Sequence, residues 1–71
     1  MKSYNLENLK KGLQENAQFI KGQDITDIAT IERINPTTVR TYLKGEVTIP
    51  SLGKAILNRC REILISRNNA A

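Results

Sequence analysis

The side chains of this chain that can act on a partner are cations and hydroxyls. From Arg33 to Gly45 the segment RINPTTVRTYLKG carries Arg33, Arg40 and Lys44 with Thr37, Thr38 and Thr41, and it contains no acid. The acids Asp24, Asp27 and Glu32 crowd the stretch just before it. A segment left positive in this way suits a polyanionic partner, because opposite charge raises both encounter rate and residence. The whole chain leans the same way, with 11 Lys and Arg against 7 Asp and Glu for a net charge of +4 and an isoelectric point near 9.6.

Other chemistries lack their residues. There is no His and only one Cys, which argues against a transition-metal site and removes Ser–His and Cys–His nucleophile pairs. No Gly-rich phosphate loop occurs. The expectation is therefore no enzyme, no cofactor, no metal and no small-molecule substrate. Cys60 cannot form an internal disulfide, and its place on an apolar helical stripe makes it a buried small hydrophobe. No apolar run approaches the roughly 20 residues of a membrane span. The start MKSYNLENLKK lacks the apolar centre of a signal peptide, so a cytoplasmic chain without a membrane partner is expected.

The elements that must position the cations lie in Ile25 to Gly45. Ile28, Ala29 and Glu32, and then Val39, Tyr42 and Leu43, repeat a one-sided pattern that predicts two short amphipathic helices facing each other. Asn35 can cap the second helix through its side-chain oxygen. Pro36 follows at the first helical position, where its missing N–H costs nothing. Gly45 supplies a left-handed stop.

The runs DITDIA and INPTTVRTYLKG resemble the helix-turn-helix of sequence-specific DNA-binding proteins, as found in lactose-repressor-type headpieces and in phage repressor and Cro-type domains. The resemblance spans residues 25–45. Small Ala29 permits close approach of the two helices, Ile28 and Ile34 flank the turn, and Val39 plugs the angle between them. The family usually has Gly in the turn where this chain has Arg33, so either Arg33 takes a positive φ or the turn differs slightly. The resemblance implies duplex DNA as partner, with the recognition helix 36–44 in the major groove. On that reading Pro36, Thr37, Arg40 and Thr41 meet base edges, while Asn35, Thr38 and Lys44 contact the backbone.

The flanking segments predict one helix on each side. Leu6, Leu9, Leu13, Ala17 and Ile20 form a stripe of about four turns, capped by Ser3 or Asn5 and ended by Gly22. Gly12 marks either a close approach of another helix or a solvent-side position. Phe19 is expected to cover the core, Asp24 to cap the next helix with Asp27 helping at its positive end, and Ile31 to point partly outward. Lys10, Lys11 and Lys21 read as a solvated surface. In EVTIP, Val47 and Ile49 are spaced to tuck onto the core. Pro50 opens a last helix with Leu52, Ile56, Cys60, Ile63 and Leu64 buried, where Gly53 is inexpensive, and the tail 68–71 is expected to fray.

The expected fold is thus all-α, a single domain over residues 1–71, built as a small repressor-like bundle of about four helices around the motif at 25–45. Such a chain gains only about 3 to 5 kcal/mol from its core. Leu57 and Ile65 exceed what one stripe needs and suggest a homodimer, the bland alternative being that they close the monomer core over the first helix. The leading expectation is a transcriptional regulator of the repressor kind. An antitoxin-like or adaptor module for protein interaction, and an excisionase-like architectural DNA-binding factor, are the alternatives.

Overall fold

A computed structural model describes residues 6–70, with side chains as far as Asn68. It is all-helical, with α1 at Leu6–Ala17, α2 at Gly22–Glu32, α3 at Pro36–Leu43 and α4 at Pro50–Ala70. The proposed caps Ser3 and Asn5 lie outside the described residues.

Leu9 and Leu13, four apart on α1, are buried and share one core with Ile28 and Ala29 of α2, Val39, Tyr42 and Leu43 of α3, and Ile56, Leu57 and Cys60 of α4. Gly12 resolves as a close approach. A Cβ there would lie 3.2 Å from Leu57 Cδ2, so the missing side chain lets α1 and α4 meet. That same contact corrects the reading of Leu57 as spare apolar surface. Leu57 is buried against α1, while Ile65 remains 59% exposed.

Gly53 is not the inexpensive position that its place in the first turn of α4 suggests. It is buried, and a Cβ would meet Val47 Cγ1 at 3.0 Å, Leu9 Cδ2 at 3.3 Å and Tyr42 Cδ2 at 3.5 Å. Val47 packs onto the core there, but Ile49, its expected companion, is exposed. The connection between α3 and α4 is held instead by the Tyr42 hydroxyl, which accepts from the Ile49 backbone N–H at 2.9 Å and shares a hydrogen bond with Thr48 Oγ1 at 3.0 Å.

The first helix is shorter than its stripe. It ends at Ala17, where the Phe19 and Ile20 N–H groups donate to the Asn16 and Ala17 carbonyls at 2.9 and 3.1 Å, the tightened last turn common at helix ends. Ile20 is buried from this turn, whereas Phe19 is 56% exposed and does not cover the core. Gly22 begins α2 rather than ending α1. Asp24 is not the cap of α2 either. Lys21 holds that position in extended backbone, at φ −95 and ψ 170, and its side chain has no acceptor to offer. Asp24, three residues in, accepts from the Lys21 backbone N–H at 2.8 Å, the return half of a capping box.

Asp24 has a second partner far along the chain. The Arg67 guanidinium donates to its carboxylate and to the Phe19 carbonyl, the latter at 2.9 Å. This clamp ties α4 to the turn between α1 and α2, which explains why the helix runs on to Ala70 where a frayed tail from residue 68 was expected. Cys60 is fully buried. Burial, helped by the nearby Asp24 charge, pushes its thiol up to about 11, so it is an inert core group.

Burial pushes the Asp24 carboxyl upward, but the Lys21 N–H and the Arg67 guanidinium outweigh burial and hold it below its ordinary value. A depressed carboxyl contributes stability above its unfolded pKa of about 3.9 and loses it as pH falls through the folded value. We therefore expect the melting temperature of the wild type to exceed that of Asp24→Asn most at about pH 5 and above, and the gap to close as pH falls below about 4. Thermal melts by circular dichroism across that range check it. A gap that widened on acidification would contradict the clamp.

Candidate functional site

Helix α3 is short, and its two ends are built by local devices that fix where its polar face points. At its start Asn35 is extended, with φ −75 and ψ 139, and its Oδ1 accepts from the Thr37 N–H at 2.8 Å. Pro36 occupies the first helical position, so no donor is wasted. At its end the Gly45 N–H donates to the Tyr42 carbonyl at 2.9 Å and the Glu46 N–H to the Thr41 carbonyl at 3.2 Å. That pair of bonds is a Schellman closure, and Gly45 has the left-handed φ of 95 it requires.

The turn into α3 uses the same closure without a glycine. Arg33 N–H donates to the Thr30 carbonyl at 3.3 Å and Ile34 N–H to the Ala29 carbonyl at 2.9 Å. Arg33 itself is left-handed, at φ 58 and ψ 46, so of the two alternatives the first holds, an arginine with positive φ. The six-to-one bond brings Ile34 back onto the core, and α3 starts two residues later.

With about 3.6 residues per turn, Val39, Tyr42 and Leu43 share the buried side of α3, and Thr37, Arg40, Thr41 and Lys44 fall on the opposite side. Thr37, Arg40 and Lys44 are exposed; Thr41 is half-buried. The Thr41 hydroxyl donates to the Thr37 carbonyl at 2.9 Å, so it can still accept from a partner. Pro36 and Thr38 are half-buried on the two flanks, and exposed Asn35 stands before the first turn. The candidate residues thus divide into an outward set of Thr37, Arg40, Thr41 and Lys44, and a flanking set of Asn35, Pro36 and Thr38.

The electrostatics explain why this face stays positive. Helix α4 supplies guanidiniums to the acids of α2: Arg67 to Asp24, and Arg59 to Glu32 at 3.0 Å. Asp27 accepts from Gln23 at 3.0 Å. Among the described residues, Arg33, Arg40 and Lys44 make no ion pair. Their charge is therefore available to an anion.

One positioning residue escaped the sequence reading. Gln14 of α1 donates its amide to the Lys44 carbonyl at 2.8 Å, and a Cβ on Gly45 would lie 2.4 Å from that same Gln14 nitrogen. This fastens the C-terminal end of α3 to α1. The contact spans 30 residues, and no local pattern on α1 distinguishes Gln14 from any other exposed polar residue. Among the described residues no group of His, Cys, Asp and Glu could hold a metal ion, and no helix is long and apolar enough to cross a membrane.

A left-handed non-Gly residue costs on the order of 1 kcal/mol. Arg33→Gly is accordingly expected to raise stability by roughly that amount, and Asn35→Ala, which removes the cap, to lower it by about 1 kcal/mol. Chemical denaturation with both variants checks the turn. A loss of stability in Arg33→Gly would contradict the left-handed geometry.

No family model, curated protein or solved structure matches this chain.

Proposed function

We propose that the chain is a sequence-specific duplex-DNA-binding regulator of transcription, a helix-turn-helix protein rather than an enzyme, with Pro36 to Lys44 in the major groove. The observation that carries this reading is the outward side of α3. It combines two cations that have no ion-pair partner among the described residues with threonine hydroxyls on a short helix capped at both ends. Arg40 can take guanine bidentately or a phosphate, and Thr37 and Thr41 can bond base edges or touch a thymine methyl. Arg33 and Lys44, near the two ends of the helix, suit phosphates, with Asn35 and Thr38 as further backbone contacts.

One such helix offers few base contacts against a genome of competing sites, so the DNA-bound form is proposed to be a two-fold homodimer. With Leu57 consumed by the monomer core, Ile65, 59% exposed, is the member of that pair left for this contact.

A second reading, a protein-interaction module, is favoured by Ile31, 53% exposed on α2, and by Phe19. Retention on heparin separates the two, since an adaptor of net charge +4 elutes early in a salt gradient.

The DNA reading predicts binding that weakens steeply with salt, because each phosphate neutralised by Lys or Arg releases counterions. Lys44→Ala should weaken all duplexes alike and reduce the salt slope by about 1. Thr37→Ala or Arg40→Ala, where a base contact is lost, should cost about 1 to 3 kcal/mol on the preferred site and relax its preference at particular positions. Fluorescence anisotropy on preferred and unrelated duplexes reads both effects. If neither Thr37→Ala nor Arg40→Ala alters site preference, α3 is not the reader.

A further inference from the structure

We propose that the groove between α2 and α4 docks a basic amphipathic helix of a partner protein. The groove encloses about 370 Å³. It is lined by the buried Ile28, by Ile31 and Ile63, and by the charged Asp27, Glu62 and Arg59. Ile31 keeps half its surface in water on a helix whose other outward positions are polar, and Ile63 is only half-buried. Branched apolar side chains beside a groove of this size form a seat for the spaced anchors of an amphipathic helix.

Charge selects among occupants. Among the residues that line the groove, Asp27 and Glu62 outnumber Arg59, so this face is net −1 on a chain of net +4. Arg59 is already committed, to Glu32 at 3.0 Å and to Glu62 at 3.1 Å. Asp27 accepts only a neutral amide, from Gln23. A nucleic acid is repelled here, and a second copy brought face to face sets one acidic lining against another. A partner helix with apolar residues on one side and Lys or Arg on its flanks meets both the seat and its acids, and complementary charge gives it specificity and on-rate. No residue of α3 lines the groove, so an occupied groove leaves Arg40 and Lys44 open. The inference does not rest on DNA binding.

The test uses the ¹⁵N-labelled full chain and a synthetic amphipathic helix with leucines at i, i+3, i+4 and i+7 and lysines on its flanks. A second peptide carries glutamates in place of the lysines. The lysine peptide is expected to give saturable amide shifts centred on Asp27, Ile31, Glu62 and Ile63, and the glutamate peptide none. Ile31→Ser, which keeps its helical circular dichroism because Ile31 is outside the core, should weaken the lysine peptide by roughly tenfold or more. The double variant Asp27→Asn, Glu62→Gln should weaken it as well. The proposal is overturned by shifts centred elsewhere, by equal binding of the glutamate peptide or equal binding to Ile31→Ser, or by no shift at about 1 mM peptide. Shifts of the groove amides on diluting the chain alone would also overturn it, since a second copy would then be the occupant.

Discussion

The left-handed backbone at Arg33 is the constraint on which the rest of the structure depends. Once φ is positive there, the Ile34 N–H reaches back to the Ala29 carbonyl, and the chain is redirected within a few residues. Asn35 and Pro36 can then begin α3 at once. The new helix buries Val39 at 0% exposure in the same core as Ile28 and Ala29. Without that redirection Val39 would not reach this core, and the polar side of α3 would not be the side turned outward. The same closure recurs at Gly45, where the φ of 95 is inexpensive. Arginine is the costlier residue at such a position. It also places an exposed cation at the entrance to α3.

Much of this was legible in the sequence because it is local. Asn35, Pro36 and Gly45 act through bonds to residues a few positions away, and their types announce those bonds. Val39, Tyr42 and Leu43 announce a buried face by spacing. Arg33 was legible as the residue standing where a glycine is usual. What escaped is non-local. Asp24 looked like a cap because its partner Arg67 is 43 residues away, and the tail looked frayed because Arg67 showed no sign of being tied down. Phe19 looked like core because it is aromatic, although the turn that buries Ile20 leaves Phe19 in water. Gly12 and Gly53 admit Leu57 and Val47, contacts that depend on how closely elements approach each other. Periodicity along one helix does not contain that distance.

The charge pattern has a structural logic that composition alone conceals. Helix α4 neutralises α2 with Arg59 and Arg67, and those two pairs also fasten α4 to α2. Two of the acids that crowd α2, Asp24 and Glu32, are thereby drawn to the α4 side, and among the described residues α3 keeps its cations without a counter-ion. The candidate site is thus a product of long-range packing as much as of the residues it displays. Of the site residues, Thr37, Arg40 and Lys44 are the most available. Asn35 and Thr41 already use one hydrogen-bonding function each within the fold, and Gln14 holds the far end of the helix in place.

Selection of bound sites from a pool of random duplex DNA reads binding, specificity and symmetry in one experiment. Enrichment of an inverted repeat is expected, with half-sites about one helical turn apart, roughly 10 base pairs centre to centre. A pool that returns no enriched sequence after repeated rounds would contradict the claim that α3 reads DNA.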